Sequence, residues 1–145
     1  MKKLYVFLIG LLLWANVGFG QCFLEVTLYS QAEVDNFATN YQCNELSGTL
    51  IIDGSQDITN LNGLSHLTRV GNLTILSNPN LANFSGINNI TYIEGALTIS
   101  GDFGTNLTGL FPSLTYVGGN VSFSGNSTTA ISGFGAVDML GMSLT

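Results

Sequence analysis

The chain is predicted to fold as a β-solenoid, a right-handed β-helix of stacked parallel strands, on three observations. A phrase of the form Gly-x-Leu-x-Ile recurs at Gly48–Ile52, Gly71–Ile75, Gly95–Ile99 and Gly119–Phe123, with a period of about 23 residues. A second phrase keeps step with it: Leu61-Asn-Gly-Leu64, Phe84-Ser-Gly-Ile87, Leu107-Thr-Gly-Leu110 and Ile131-Ser-Gly-Phe134. So does a third: Leu67-Thr-Arg-Val70, Ile90-Thr-Tyr-Ile93, Leu114-Thr-Tyr-Val117 and Val137-Asp-Met-Leu140. Three registers moving together mark units that bury their apolar faces only against one another.

Ahead of the repeats, residues 1–20 read as a secretory signal peptide. Lys2 and Lys3 precede an apolar run from Leu4 to Trp14, and Gly18 and Gly20 suit the positions three and one before a cut. The run is short for a membrane span, which takes about 20 residues. A retained anchor or a lipid on Cys22 is the alternative, although Gln21 stands where a lipoprotein signal needs a small residue. Cleavage after Gly20 removes both lysines and leaves Arg69 alone against nine acids, one minus nine, a net charge of −8. Such a chain offers no electrostatic footprint for nucleic acid or anionic lipid, and no membrane span is expected after cleavage.

Residues 21–47 fall outside the period and are expected to cap the first coil. Leu24–Tyr29 alternates in polarity and reads as a strand. Ser30 and Glu33 have capping-box spacing, and Val34, Phe37 and Ala38 follow at helical spacing, so a short helix is expected over about Gln31–Thr39. Two cysteines in an oxidising compartment favour a Cys22–Cys43 disulfide. Closing that loop would contribute about 3 kcal/mol on the chain-entropy model. A two-cysteine metal site lacks partners, since His66, the sole histidine, sits in another segment and reads as a solvated loop residue.

Residues 48–145 then form about four coils. Alternation predicts inward ladders of Leu50, Leu73, Leu97 and Val121, and of Ile52, Ile75, Ile99 and Phe123. The other phrases add Leu67, Ile90, Leu114 and Val137; Val70, Ile93, Val117 and Leu140; Leu61, Phe84, Leu107 and Ile131; and Leu64, Ile87, Leu110 and Phe134. Gly63, Gly86, Gly109 and Gly133 recur at one corner, where a left-handed backbone is expected. Single insertions at Glu94, Gly118 and Pro112 lengthen the period without moving the inward positions.

These residues resemble the receptor L-domain family of the leucine-rich-repeat superfamily. The likeness runs through Cys43-Asn-Glu-Leu-Ser-Gly-Thr-Leu-Ile-Ile52, Ile58-Thr-Asn-Leu-Asn-Gly-Leu64 and Val70-Gly-Asn-Leu-Thr-Ile75, and covers about residues 22–145. The phrasing is most similar to secreted bacterial surface members. The resemblance implies a ligand-binding lobe of the kind found in insulin- and growth-factor-type receptors. It does not name a ligand, because the shared residues are core and corner positions. The chain departs from the family at Gly141–Thr145, the opening of another coil without a closing cap. That end is expected to be truncated or covered by a partner, and to be a site of association.

Catalysis is not expected. Asp53 and Asp102 follow strands in the first and third coils, where Asn78 and Asn126 stand in the second and fourth, a pattern of turn chemistry. Asp53-Gly54 and Gly101-Asp102 fall short of a repeated calcium motif, so neither metal nor cofactor is expected. Most of the Asn-x-Ser/Thr triplets, such as Asn72-Leu-Thr74, arise from the repeat phrase itself and are assigned no function.

The outward rows are the candidate binding face. Ile51, Thr74, Thr98 and Ser122 form one, Thr49, Asn72, Ala96 and Asn120 another, and Thr68, Thr91 and Thr115 a third beside Arg69, Tyr92 and Tyr116. Hydroxyls with neighbouring tyrosines suit a protein or glycan ligand, through hydrogen bonds and ring stacking. Threonine is also simply a good exposed strand residue. Threonine rows also suit an ice-binding solenoid, and a purely structural envelope or matrix component needs neither; these two are the alternatives.

Overall fold

In the computed structural model the described residues are 20–54, 56–101, 107–125, 131–134 and 138–139, the last two stretches together with 107 and 108 for their backbone only. The signal-peptide segment up to residue 19, Asp102, Asn126, Val137, Leu140 and the end at 141–145 lie outside them.

The N-terminal segment carries β1 (Gly20–Cys22), β2 (Val26–Leu28), α1 (Gln31–Asp35) and α2 (Phe37–Tyr41). The single helix expected here is broken at Asn36, whose Nδ2 donates to the Ala32 carbonyl at 2.7 Å. An asparagine amide competing for backbone carbonyls ends a helix readily. Ser30 caps α1 by accepting from the Glu33 amide at 3.3 Å. Glu33 reaches back one residue further than a capping box requires, accepting from the Tyr29 amide at 2.6 Å. Gln31 fastens the helix to the first repeat: its Oε1 accepts from the Thr59 amide at 2.9 Å and the Asn60 amide at 3.1 Å.

The repeats contribute β3 (Cys43–Asp53), β4 (Arg69–Leu76), β5 (Tyr92–Ile93), β6 (Leu97–Ser100), β7 (Leu107–Phe111), β8 (Tyr116–Val117), β9 (Val121–Ser124), β10 (Ile131–Phe134) and β11 (Asp138–Met139). Every described pairing is parallel. Leu50 pairs with Leu73, Leu73 with Leu97 and Leu97 with Val121, so the partners lie 23, 24 and 24 residues apart. Glu94 is the added residue at the first lengthening, and its amide donates to the Val70 carbonyl at 3.0 Å without shifting Leu97.

The inward ladders form one apolar core. Leu50, Leu73, Leu97 and Val121 are at most 1% exposed, and Ile52, Ile75, Ile99, Leu67, Ile90, Leu114, Val70, Ile93 and Val117 are buried with them. Phe123 is only partly buried, packed against the core from its edge. Leu61, Phe84, Leu64, Ile87 and Leu110 are also buried. Burying a side chain of this kind stabilises by about 1.5–3 kcal/mol relative to exposing it.

The Leu-x-Gly-Leu corner differs from its expected form. Asn62–Leu64 and Ser85–Ile87 are 3₁₀ turns, opened by Asn60 and Asn83, whose Oδ1 atoms accept from the Asn62 and Ser85 amides. Neither Gly63 nor Gly86 is left-handed. Their constraint is close approach, because a Cβ at Gly63 would meet the Val34 carbonyl and one at Gly86 the Leu61 carbonyl. Gly109 differs from Gly63 and Gly86 in having a positive φ, +68°, and it lies within β7. There the repeat has become strand, pairing with β10 in a separate two-stranded sheet. Thr108 occupies the position held by Asn62 and Ser85, and a β-branched residue favours strand where those favour turn.

The last repeat is also set differently. Asp138 pairs with Tyr116 and Met139 with Val117, so Met139 rather than Leu140 continues the Val70–Ile93–Val117 row. Two adjacent apolar residues left both registers open to the hydrophobic pattern. Phe134 similarly pairs with Phe111, across a register shift, rather than with Leu110.

Candidate ligand-binding face

Outward positions of the parallel strands line up from repeat to repeat, and the rows they form are put to different uses. Thr68, Thr91 and Thr115 stand at the strand entries. Each donates its amide at 2.8 Å to a carbonyl one repeat back, that of Asn44, Thr68 and Thr91 respectively. Each also donates its hydroxyl to the same carbonyl, at 3.2, 3.1 and 2.9 Å. This row is an internal ladder whose donors are consumed in joining repeats.

Arg69, Tyr92 and Tyr116 are laterally paired in the adjacent row, which begins at Gln21 and Glu45. The Arg69 guanidinium lies 4.3 Å from the Tyr92 ring centre. Tyr92 and Tyr116 stack at 4.3 Å with 12° between their planes. Both faces of Tyr92 are therefore covered from within, and no face remains there for a sugar ring. The long Arg69–Glu94 ion pair, 3.7 Å between groups 36% and 53% exposed, adds little in solvent. What the stack provides is a fixed position for a lone guanidinium, held by π-stacking and cation–π attraction.

Thr74, Thr98 and Ser122 form the third row. Ile51 pairs with Thr74, Thr74 with Thr98 and Thr98 with Ser122, all half-buried. Among the described residues nothing takes up their hydroxyls, in contrast to the Thr68 row. The row extends one strand beyond the sequence expectation, because β2 pairs with β3 and sets Thr27 beside Ile51. A non-repeating segment gave no register for Thr27, and only its alternation, Val26-Thr27-Leu28, hinted at a buried–open–buried strand.

The flanking rows are more occupied. Asn72 donates from Nδ2 to the Thr49 hydroxyl at 3.3 Å and accepts from the Ala96 amide at 2.8 Å, so its triplet serves the sheet. Ser124 donates to the Ser100 hydroxyl at 2.9 Å. A register shift between Leu46 and Thr49 and consecutive burial of Val70 and Gly71 mark a bulge that separates the Arg69–Tyr92–Tyr116 row from the Thr74 row.

The remaining candidates have structural surroundings. Cys22 and Cys43 form a disulfide with Cα atoms 5.8 Å apart, tying β1 to the start of β3. His66, expected to be a solvated loop residue, lies in a turn but is half-buried. Its ring lies 5.6 Å from Phe37, and burial lowers its pKa below 6.5 against the opposing effect of hydrogen bonds with the backbone of Cys43 and Gly63. Asn78 is fully buried and donates to the Ile52 and Leu76 carbonyls at 3.1 and 2.8 Å. Among the described residues no group of three His, Cys, Asp or Glu side chains is placed to hold a metal.

No curated protein and no solved structure matches this chain. Residues 42–144 match the family described as Receptor L domain, ligand-binding, non-enzymatic modules that typically occur in the extracellular regions of receptors. The match spans most of the sequence and all of its repeats, and the protein belongs to the receptor L domain family.

Proposed function

We propose that the protein is a secreted or cell-surface recognition module of the bacterial surface type. It binds a protein or glycan through the row Thr27–Ile51–Thr74–Thr98–Ser122, whose hydroxyls on either side of Ile51 are open, and catalyses no reaction. In this reading residues 1–20 are a signal peptide, residues 21–47 cap a β-solenoid, and the mature chain has no membrane span and no nucleic-acid partner. The observation that carries it is the difference between the threonine rows: one is spent on carbonyls of neighbouring repeats, the other presents unspent hydroxyls at strand spacing. Regularly spaced donors on a rigid sheet bind with little ordering cost. Arg69, Tyr92 and Tyr116 border the face across the bulge, with Arg69 a fixed cation able to hydrogen-bond a ligand carboxylate or hydroxyl.

An ice surface is the weaker occupant. The hydroxyl file is one residue wide, and its neighbours Asn72 and Ala96, or Leu76 and Ser100, do not repeat it. A two-dimensional lattice calls for a second matching file, whereas a peptide or glycan chain does not.

The test is to probe a glycan array and an array of extracellular proteins with the wild type, a Thr74→Tyr/Thr98→Tyr variant and a Thr91→Val control. Binding should fall by about tenfold or more in the first variant and persist in the control. Equal binding by all three would remove the row from the function. Thermal hysteresis in the wild type that disappears in the tyrosine variant would favour the ice-binding reading.

A further inference from the structure

The N-terminal edge of the sheet, where the hydroxyl row ends at Thr27, is a second surface. Strands β1 and β2 each pair only with β3 among the described residues, so one side of each is left as a sheet edge. Native edges are usually blunted by charge, proline or a covering segment. Here the connection between the two strands instead carries Phe23, 79% exposed, and Leu24, 37% exposed, with Tyr29, 60% exposed, just beyond β2. These are the exposed large apolar side chains of the described residues. Beside them lies a groove of about 290 Å³ lined by Phe23, Leu24, Glu25, Ser47, Gly48 and Thr49. Its floor is backbone, since a Cβ at Gly48 would run into the Leu24 carbonyl. Exposed apolar clusters next to an unpaired edge mark contact surfaces.

Charge selects the occupant. Glu25, Glu33, Asp35, Glu45, Asp53 and Asp57, six of the nine acids, fall within residues 20–57, which contain no lysine or arginine. Glu25 lines the groove itself, so a second copy docking by the same edge would set its own Glu25 against this acidic segment and be repelled. We propose that the edge of β1 and β2 takes an extended segment of a partner protein in which apolar and basic residues alternate. The segment adds as a further strand, sets an apolar side chain against Phe23 and Leu24, and places a lysine or arginine by Glu25. Main-chain hydrogen bonds then supply affinity, and the groove and Glu25 supply selection.

The experiment titrates the protein with the peptides (Val-Lys)₅ and (Val-Glu)₅, and with (Val-Lys)₅ N-methylated at alternate residues. The basic peptide should bind about tenfold or more tightly than the acidic and the methylated ones. Phe23→Asp should weaken it by about tenfold, although the variant adds negative charge. Phe23→Ser should act in the same direction, and both variants should melt as the wild type does because Phe23 packs little. Undiminished binding to Phe23→Asp would reduce the effect to bulk charge and overturn the proposal. So would equal binding of the methylated peptide, no binding of any peptide, or a wild-type dimer that Phe23→Asp dissociates. Thr74→Tyr/Thr98→Tyr, on β4 and β6, should leave peptide binding unchanged, which separates this surface from the hydroxyls of Thr74 and Thr98.

Discussion

Two rows of threonine run across the same parallel sheet, and the sheet treats them in opposite ways. Thr68, Thr91 and Thr115 sit where each strand begins, close to a carbonyl of the preceding repeat, and give their hydroxyls to it. Thr74 and Thr98 sit in mid-strand, where backbone groups belong to the ladder and the hydroxyl is directed out of it. Residue type and period are the same for both rows. Position relative to the neighbouring carbonyl decides which one stabilises the fold and which is left for a ligand.

The largest effect that would sharpen this contrast comes from the inward neighbour of an open hydroxyl. Leu97 is fully buried one residue before Thr98. Leu97→Ala should cost about 2–5 kcal/mol in urea unfolding through lost transfer and a residual cavity. That value sets the scale for any change at Thr98. A cost below about 1 kcal/mol would mean that inside and outside are not distinguished on this strand.

Next comes the link that holds the first strand in place. Cys22 and Cys43 are 21 positions apart in sequence, and Cys22→Ser/Cys43→Ser should lower stability by about 3 kcal/mol. If Thr27 belongs to the binding row by virtue of its pairing with β3, ligand binding should weaken along with stability. Binding that survives unchanged would confine the row to Thr74, Thr98 and Ser122.

A smaller effect is expected at Arg69, beside the consumed threonines. Arg69→Gln removes the contact with the Tyr92 ring and should cost about 0.5–1 kcal/mol, given its partial exposure. A larger loss would make the Arg69–Tyr92–Tyr116 stack part of the ladder rather than its border.

The smallest is a pH effect at His66. Burial holds its folded pKa below the ordinary 6.5, so on acidification the unfolded chain takes up the proton before the folded one does. Stability contributed by neutral His66 is therefore complete above pH 6.5 and declines as pH falls from there towards the folded pKa. The difference between wild type and His66→Gln should show this slope. A difference that is flat across that window would contradict the half-buried setting of His66.

Much of the architecture was readable in advance because it is written in a repeated phrase. The Leu73, Leu97 and Val121 row and the Cys22–Cys43 link needed only a period and a cysteine count. What escaped depends on contacts between segments that share no phrase. Thr27 joined the hydroxyl row through a three-residue strand whose partner lies 24 positions away. Tyr92 was readable as an exposed aromatic, but the covering of its two faces by Arg69 and Tyr116 required lateral geometry. Gly63 and Gly86 were readable as required glycines, though for crowding by carbonyls rather than for a left-handed backbone. The register of Met139 escaped because Leu140 beside it is equally apolar.

The division between the two threonine rows is tested most directly by urea unfolding of two matched variants, Thr91→Val/Thr115→Val and Thr74→Val/Thr98→Val. The first pair should lose about 1 kcal/mol for each hydroxyl bond removed. The second should stay within about 0.5 kcal/mol of wild type, since valine suits an outward strand position. Equal losses in the two variants would mean that both rows are structural, and would contradict the assignment of the Thr74 row to a ligand.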